Sequence, residues 1–408
     1  MVGHPQLYCR VLSHILVNEG HKVVVAGSGL SDNWPNEFPD LFSLIGKSEV
    51  EFIDTRSYSG RTLPRLTVEE LRTLQSEFCI DSTLFVEGDY FSDQFRRIAD
   101  REAPRLHGRT SAIFSHTSRW FPNEDAYSGE RQSNSPQTLR QAVGQVRRAT
   151  FHRRQSDKYF FETVLIKRKV IDNLIVKDER ILEKHGDAVH CMPEIFRVFD
   201  NYKAAELNAD VSNFSEPIRK YIEMADSRNV LLYFGAGRWY KGYDYFLKLA
   251  ELDHSTFALH VGGSEKLEKG KLMTFDTDAL RISLREQGRL FETDTFIESP
   301  LLVQQVFDSV DRFVSTHRLT LSSGTMLQAL QAGKPVLVPD TGLVGWRTRK
   351  FGLGQTYKYL DESDLVRSWR EFKEQPVDQY HPNIENFMRR FSKTAVRNFF
   401  LTHLCGNG

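Results

Sequence analysis

The sequence predicts an α/β protein built as two doubly wound, parallel-sheet lobes. Three observations carry this. Short apolar runs alternate with helix-period stretches, as parallel sheets covered by helices require. Two of the strands run into glycine- or serine-rich turns that open helices. At 408 residues, with roughly 150 residues per domain as a prior, the chain has room for two or three cores. Composition narrows the class further. Phe alone contributes 29 residues and aromatics 12%, which excludes a mainly disordered chain. The 54 basic residues balance 54 acidic ones, against a nucleic-acid binder with its usual basic excess. No apolar run approaches the roughly 18 to 20 residues of a membrane span, and the N-terminus lacks a signal-peptide core. Cys9, Cys79, Cys191 and Cys405 are widely separated, with neither CxxC nor metal-ligand spacing. A reduced, cytoplasmic, soluble protein is expected.

The first lobe opens on PQLYCRVLSHILVN (5–18), where Leu7, Tyr8, Val11, Leu12, Ile15 and Leu16 form one helical stripe. Pro5 is tolerated in the first turn and Gly20 supplies a left-handed stop. HKVVVAGSG follows as a short buried strand. A helix feeding a parallel strand normally has a strand before it, yet only Met1 and Val2 precede the Gly3–His4 turn. The expectation is that a first strand, central in the sheet, is missing from this reading frame. EVEFID, STLFVEG, TSAIFSH and DNLIVKD read as further strands, and TVEELRTLQSEFC as a helix between them. Residues 118–158 break the pattern, polar and poor in periodic apolar positions. They read as a solvated insertion or as a mobile acceptor-docking segment. From 140 to 169, Arg140, Arg147, Arg148, Arg153, Arg154, Lys158, Lys167, Arg168 and Lys169 face only Asp157 and Glu162. That run is either a solvated face or a contact for an anionic lipid surface or polyanionic acceptor.

Beyond residue 200 the alternation resumes. VLLYFG, FALHVGG, RFVSTH and KPVLVPD read as strands; YDYFLKLAEL, SPLLVQQVFDSV and TMLQALQAG read as helices. IENFMRRFSKTAVRNFF (384–400) reads as a terminal helix with no strand after it. Domains are therefore expected over 1–198, 199–378 and 379–408.

Two segments carry chemistry. In LYFGAGRWYKGYD (232–244) a strand runs into Gly235-Ala236-Gly237, with Arg238 and Lys241 before a helix near Gly242. Glycines let backbone amides approach an anion, and the two cations stand at the carboxyl end of the strand, where open α/β sheets bind ligands. A nucleotide diphosphate is the natural occupant; a plain tight turn is the alternative. In HRLTLSSGTMLQALQAGKPVLVPD (317–340) a strand ends at His317, and Ser322, Ser323, Gly324 and Thr325 lead into a helix. Such residues cap helices, and the same terminus offers amides and positive dipole to a phosphate.

FGAGRWYKGYDYFLKLAEL resembles the phosphate-binding segment of GT-B-fold glycosyltransferases, above all the retaining family four (glycosyl transferases group 1). SSGTMLQALQAGKPVLVPDTGLVG is similar to that family's next motif, and GHPQLYCRVLSHILVNEGHKVVVAG to its opening loop, helix and second strand. The resemblance implies a nucleotide-diphosphate sugar held by the second lobe, an acceptor held by the first, and a terminal helix crossing back onto the first. Arg238 and Lys241 would neutralise the leaving diphosphate, so that no metal and no further cofactor is needed. Ser322, Ser323, Gly324 and Thr325 would complete the phosphate cradle, and Gly3 and His4 would face it. His116, after TSAIFS, matches a histidine that relatives place beneath the reacting sugar, and joins Arg238 and Lys241 as a candidate catalytic group. A capping or packed histidine is the alternative. Glu87 and Asp89, after STLFV, are candidates for the acceptor, and Glu298, after TDTFI, for a base or ribose contact. The family's two glutamates around the second motif correspond here to Thr320 and Gln328. Gln328 can still bond ribose hydroxyls, without charge.

The expected activity is transfer of a sugar from a nucleotide-diphosphate donor to a glycan or lipid-linked saccharide, with retention, at or near the inner face of a membrane. The alternatives are a nucleotide-sugar epimerase of the same fold and a non-catalytic nucleotide-sugar-binding partner protein. A dinucleotide oxidoreductase fits less well: GSGL (27–30) lacks the third glycine and the following acidic residue.

Overall fold

A computed structural model describes residues 4–27, 50–55, 59–60, 62, 65–114, 160–195, 211–226, 229–262, 273–293, 297, 300–318 and 322–405. The chain divides into two compact units. Unit 1 holds the described residues up to 114, from 160 to 195 and from 391 to 405; unit 2 holds those from 211 to 390. Every strand pairing in both units is parallel.

In unit 1 the helix His4–Asn18 leads to β1 (Val23–Gly27), which pairs with β2 (Val50–Asp54). The helix Val68–Glu77 starts on a reciprocal cap. Glu70 N donates to Thr67 Oγ1 at 3.1 Å, and Thr67 N donates to Glu70 Oε2 at 2.7 Å, the T-x-x-E pairing readable in the sequence. β3 (Ser82–Phe85), β4 (Arg109–Phe114), β5 (Asn173–Val176) and the two-residue β6 (His190–Cys191) form a second ladder in the order β3-β4-β5-β6. The five strands expected in this lobe are all present, as β1 to β5; β6 is too short to leave a periodic signal. Phe85, Phe91, Phe95, Phe114 and Phe161 pack in series with centroids 4.5 to 6.3 Å apart, and Phe161 belongs to a π-helical turn, Phe160–Lys167.

Among the described residues no ladder joins β1 to β3. The first helix touches strands of both ladders instead. Cys9 and Val17 pack with Val23, Val25 and Val50. Tyr8, Val11 and Leu12 belong to a cluster with Ile113, Ile175, Val396 and Phe400.

The C-terminal run departs from the sequence reading. Residues 384–400 are not one helix: His381–Arg389 ends, and Lys393–Phe400 begins anew on Ser392, whose Oγ accepts from Ala395 N at 3.1 Å. Apolar spacing cannot register this break, because the two halves bury in different cores: Ile384 and Phe387 in unit 2, Val396 and Phe400 in unit 1. The tail then ties into unit 1, with Ser82 Oγ donating to Leu404 O at 3.0 Å and the His403 ring stacked on His190 at 4.0 Å.

Unit 2 contains β7 (Val230–Phe234), β8 (Phe257–Val261) and β9 (Leu290–Thr293) in one ladder, and β10 (Phe313–Val314), β11 (Val336–Pro339) and β12 (Gly354–Tyr357) in another. β10 lies beside β7, so the strands run 9-8-7-10-11-12. This is the doubly wound order whose switch point falls between the first and fourth strands. Helices Tyr243–Leu252 and Glu362–Glu374 supply Phe246, Leu247, Trp369 and Phe372 to the core around Leu231, Tyr233 and Leu337. A strand lies at Leu290–Thr293, and residues 294–296 of the TDTFI segment lie outside the described residues. Helices Val211–Ala225, Thr277–Glu286 and Glu362–Glu374 and strand β12 were not read from the sequence.

A buried ion pair anchors the last long helix of unit 2. Lys373 Nζ sits 2.6 Å from Asp253 Oδ2, with both side chains less than a tenth exposed. Burial works against the Asp253 charge, but the bonds from Lys373 and Thr256 prevail and lower its pKa. Lys373→Met, which removes the buried cation bonded to Asp253 and leaves it only the exposed Arg370 at 3.8 Å, is expected to cost about 3 kcal/mol in denaturant unfolding.

The His190–His403 stack makes unit 1 acid-sensitive. Burial, then His190 and Arg109, push the His403 pKa down to about 4, and burial lowers that of His190. The native state therefore favours the neutral rings. Their contribution is full above the ordinary histidine value of about 6.5, and is lost as pH falls through about 4. The drop in thermal midpoint from pH 7 to pH 4 should be smaller in His403→Phe, which keeps a ring and removes the titration.

Candidate functional site

The switch point of unit 2 holds the glycine-rich segment. Gly235 N donates to Val261 O at 2.7 Å and continues the β7–β8 ladder by one step. The chain then leaves the sheet through Gly235 at φ +107°, a value only glycine adopts without strain. A Cβ there would lie 2.6 Å from Lys241 Nζ, so the lysine ammonium sits directly across the turn. Gly262, at the end of β8, faces the same point with φ +124°, and its Cβ would lie 2.7 Å from the Gly235 Cα. Two strand ends thus meet backbone to backbone. The Tyr233 hydroxyl stitches the turn from beneath, donating to Ala236 O at 3.2 Å and accepting from Arg238 N at 3.4 Å.

A 3₁₀ turn, Trp239–Lys241, carries the chain to Gly242. Gly242 is left-handed at φ +65°, and a Cβ on it would strike Thr316 O. Thr316 Oγ1 in turn donates to Gly242 O at 2.9 Å. The loop after β7 and the loop after β10 are thereby zipped together, and Arg318 completes the closure. Its N donates to Tyr240 O at 2.9 Å and its Nη1 to Trp239 O at 2.8 Å. Its guanidinium grips Asp244 bidentately at 2.7 and 2.6 Å, and Trp239 and Tyr245 flank it. Arg318 and Asp244 are both essentially buried.

This packing puts positive charge where the strands end. Burial, and then the Arg238 charge, lower the Lys241 pKa. His317 is half-buried, and desolvation together with Lys241 pushes its pKa down to about 3, so it is neutral near pH 7. Beyond it, Ser323 caps the helix Gly324–Gln331 by accepting from Met326 N at 3.3 Å, with its hydroxyl 3.0 Å from Thr325 Oγ1. Ser322 Oγ accepts from the buried Arg347 at 3.3 Å. The serine hydroxyls are thus engaged internally, and what this helix end offers an anion is amide donors and dipole. Gln328 lies one turn along, half-buried. Behind the turn, buried His260 and Glu292 reach Gly235 and Tyr243.

The predicted residues Gly235, Gly237, Arg238, Lys241, Ser322, Ser323, Gly324, Thr325 and Gln328 all belong to unit 2, on the segments following β7 and β10. Gly3, His116 and Glu298 lie outside the described residues, as do Thr320 and the basic residues from Arg140 to Lys158. His4 is the first residue of the opening helix. Of the rest of the basic run, Arg168 pairs with Asp100 at 2.5 Å.

In unit 1, Glu87 and Asp89 follow β3 and flank a charged cluster. Lys177, just past β5, is half-buried; its desolvation lowers its pKa, and Glu194, Glu87 and Asp89 oppose the shift. Its ammonium lies 4.4 Å from the Tyr8 ring centroid. Lys177 and Glu194 escaped the sequence reading, and so did Arg318, Asp244, His260, Glu292, Gly262 and Arg347. Their only sequence signal is a charged or small residue at a strand end, which is common. Among the described residues no three His, Cys, Asp or Glu side chains are grouped to hold a metal ion, and no helix is long and apolar enough to cross a membrane.

No protein-family model matches the sequence, and no curated protein does so. Solved structures do match in fold. A glycosyltransferase from Rickettsia africae is 13% identical with a TM-score of 0.58, covering 100% of this chain and 97% of its own. Sucrose-phosphate synthase from Thermosynechococcus elongatus is 14% identical with a TM-score of 0.58, covering 97% and 92%. Anabaena HepE, solved in complex with UDP, is 13% identical with a TM-score of 0.55, covering 95% and 94%. The chain has the GT-B fold of these glycosyltransferases.

The backbone contact at the turn is testable. Gly262→Ala must push the Gly235 turn aside and adopt a strained φ, at a cost of about 1 to 3 kcal/mol. We expect a lower melting temperature together with loss of whatever anion binding the wild-type turn supports.

Proposed function

We propose that this protein is a glycosyltransferase that moves a sugar from a nucleotide-diphosphate sugar to a glycan or lipid-linked saccharide. The observation that carries the reading is the seating of Lys241 across the Gly235 turn, with Arg238 beside it, at the switch point of unit 2. An anionic leaving group placed there gains two cations, the Ala236 and Gly237 amides and the N-terminus of the helix Gly324–Gln331. These groups stabilise the charge that develops on a diphosphate as the glycosidic carbon departs. That supports donor activation without a bound metal. Solved neighbours such as HepE, whose complexes contain UDP and glucose, agree with a donor of this chemistry.

Retention suits a site in which the leaving phosphate itself receives the acceptor's proton, because it asks for no separate carboxylate base. The acceptor is assigned to unit 1, where Glu87 and Asp89 lie near Lys177 and Tyr8. Carboxylates held around a lysine suit the alternating donors and acceptors of sugar hydroxyls. His116 is proposed as the contact to the reacting sugar, Glu298 and Gln328 as ribose contacts, and Gly3 and His4 as donor contacts from unit 1. The basic run 140–169 is proposed to touch an anionic lipid surface on the cytoplasmic side, where a lipid-linked acceptor would be met.

Calorimetric titration with UDP, GDP, ADP, CMP and dTDP tests the donor site. One diphosphate should bind selectively, and Arg238→Ala and Lys241→Ala should each weaken it by about 1.5 to 3 kcal/mol, the worth of a charged hydrogen bond. Unchanged affinity in both variants would refute the placement of the donor. Turnover of the matching nucleotide sugar without any acceptor would favour an epimerase instead.

A further inference from the structure

The phosphate-side turn has a support behind it that donor accounting makes specific. His260 lies on β8 with no exposed surface, and each ring nitrogen faces an oxygen. Nε2 is 3.0 Å from Gly235 O, and Nδ1 is 3.4 Å from Glu292 Oε1. The Gly235 carbonyl can only accept. Glu292 also accepts. Its oxygens take the Tyr243 hydroxyl at 2.7 Å and Arg281 Nε at 3.0 Å, and Arg285 as well. These bonds overcome the cost of burial and hold its pKa down to about 2. The contact to Gly235 O is therefore made by an Nε2–H, and the ring is held in place by the adjacent carboxylate and by Tyr233 and Tyr243, 5.2 and 4.8 Å away, ring centroid to centroid.

The consequence for the turn follows from peptide planarity. No peptide bond in the described chain is cis. In a trans unit the carbonyl of Gly235 and the amide N–H of Ala236 point in opposite directions. Turning the Gly235 carbonyl inward to His260 therefore turns the Ala236 N–H outward. Among the described residues that amide, like that of Gly237, meets no acceptor. We propose that His260, held between Glu292 and the Gly235 carbonyl, is a positioning residue that presents the Ala236 amide to the diphosphate. This rests on the donor reading above. It adds that the cradle is aimed from within the sheet, through a β8 side chain that need not touch the ligand.

The test uses the full chain and inorganic pyrophosphate, a probe independent of base and sugar. In long-range ¹H–¹⁵N spectra of the ligand-free protein at neutral pH, Nε2 of His260 should carry hydrogen. In calorimetry, His260→Phe keeps the ring volume but no donor, and should weaken pyrophosphate about tenfold or more, the scale of one lost hydrogen bond to a charged ligand. His260→Gln retains a donor near the Nε2 position and should bind within about threefold of wild type on that account. Wild-type affinity in His260→Phe would overturn the proposal. So would an equal loss in both variants, which would mean packing alone, or an Nε2 without hydrogen. If His260→Phe does not fold, the glutamine variant and the spectra still decide. Absence of pyrophosphate binding in the wild type would overturn the donor site itself; normal wild-type binding that is indifferent to His260 would overturn only this inference.

Discussion

Arg318 and Asp244 form a buried bidentate pair, and the arrangement of unit 2 around its switch point hangs on it. The pair joins the loop after β10 to the first turn of the helix that follows β7, and through Trp239 O and Tyr240 O it also holds the short turn that carries Lys241. A buried ion pair adds little net stability over a well-packed apolar alternative, since desolvation offsets most of its attraction. What it gives is direction. A guanidinium with fixed donors can satisfy two carboxylate oxygens, a carbonyl and Thr274 Oγ1 in only one arrangement. Two loops from non-adjacent parts of the sequence are brought into register by that requirement. With one loop displaced, Lys241 would no longer lie over Gly235.

The two cations nearest the turn are managed differently from the pair beneath them. Arg318 has its carboxylate, whereas Lys241 lies beside a second cation and a neutral imidazole, and its ammonium is disfavoured by burial. An arriving anion would relieve that cost, which is a physical reason for positive charge to be concentrated at strand ends. The cluster around Lys177 in unit 1 has the opposite balance. One half-buried lysine faces several carboxylates, a setting suited to neutral, hydroxyl-bearing groups rather than to phosphate.

Much of this was legible in the sequence wherever the signal is local. The strands at 82–85, 109–114, 173–176 and 230–234 were visible as apolar runs, the helix that holds Val68–Glu77 as a periodic stretch, and the Gly235 turn as glycines beside Arg238 and Lys241. What stayed hidden depends on pairing across long separations. Asp244 and Arg318 are 74 residues apart and His260 and Glu292 are 32 apart, and neither member marks its partner. Ser323 was ambiguous between cap and ligand. The structure shows its hydroxyl engaged as a cap, leaving the helix amides beside it as the groups available to an anion. The single helix read over 384–400 failed because periodicity reports that residues are buried, not in which core.

The meeting of Gly235 and Gly262 bears on how such a chain changes over time. A turn made of main-chain amides, shaped by two glycines touching backbone to backbone, makes demands on only the few side chains that brace it, Tyr233, His260 and the Arg318–Asp244 pair. Ala236 can be replaced, and so can much of the surrounding strand, without altering where the amides point. Selection on the turn is then confined to a handful of positions, and the rest of the lobe is free to drift. Lineages built on it can lose recognisable kinship letter by letter while the chemistry at the strand ends stays in place.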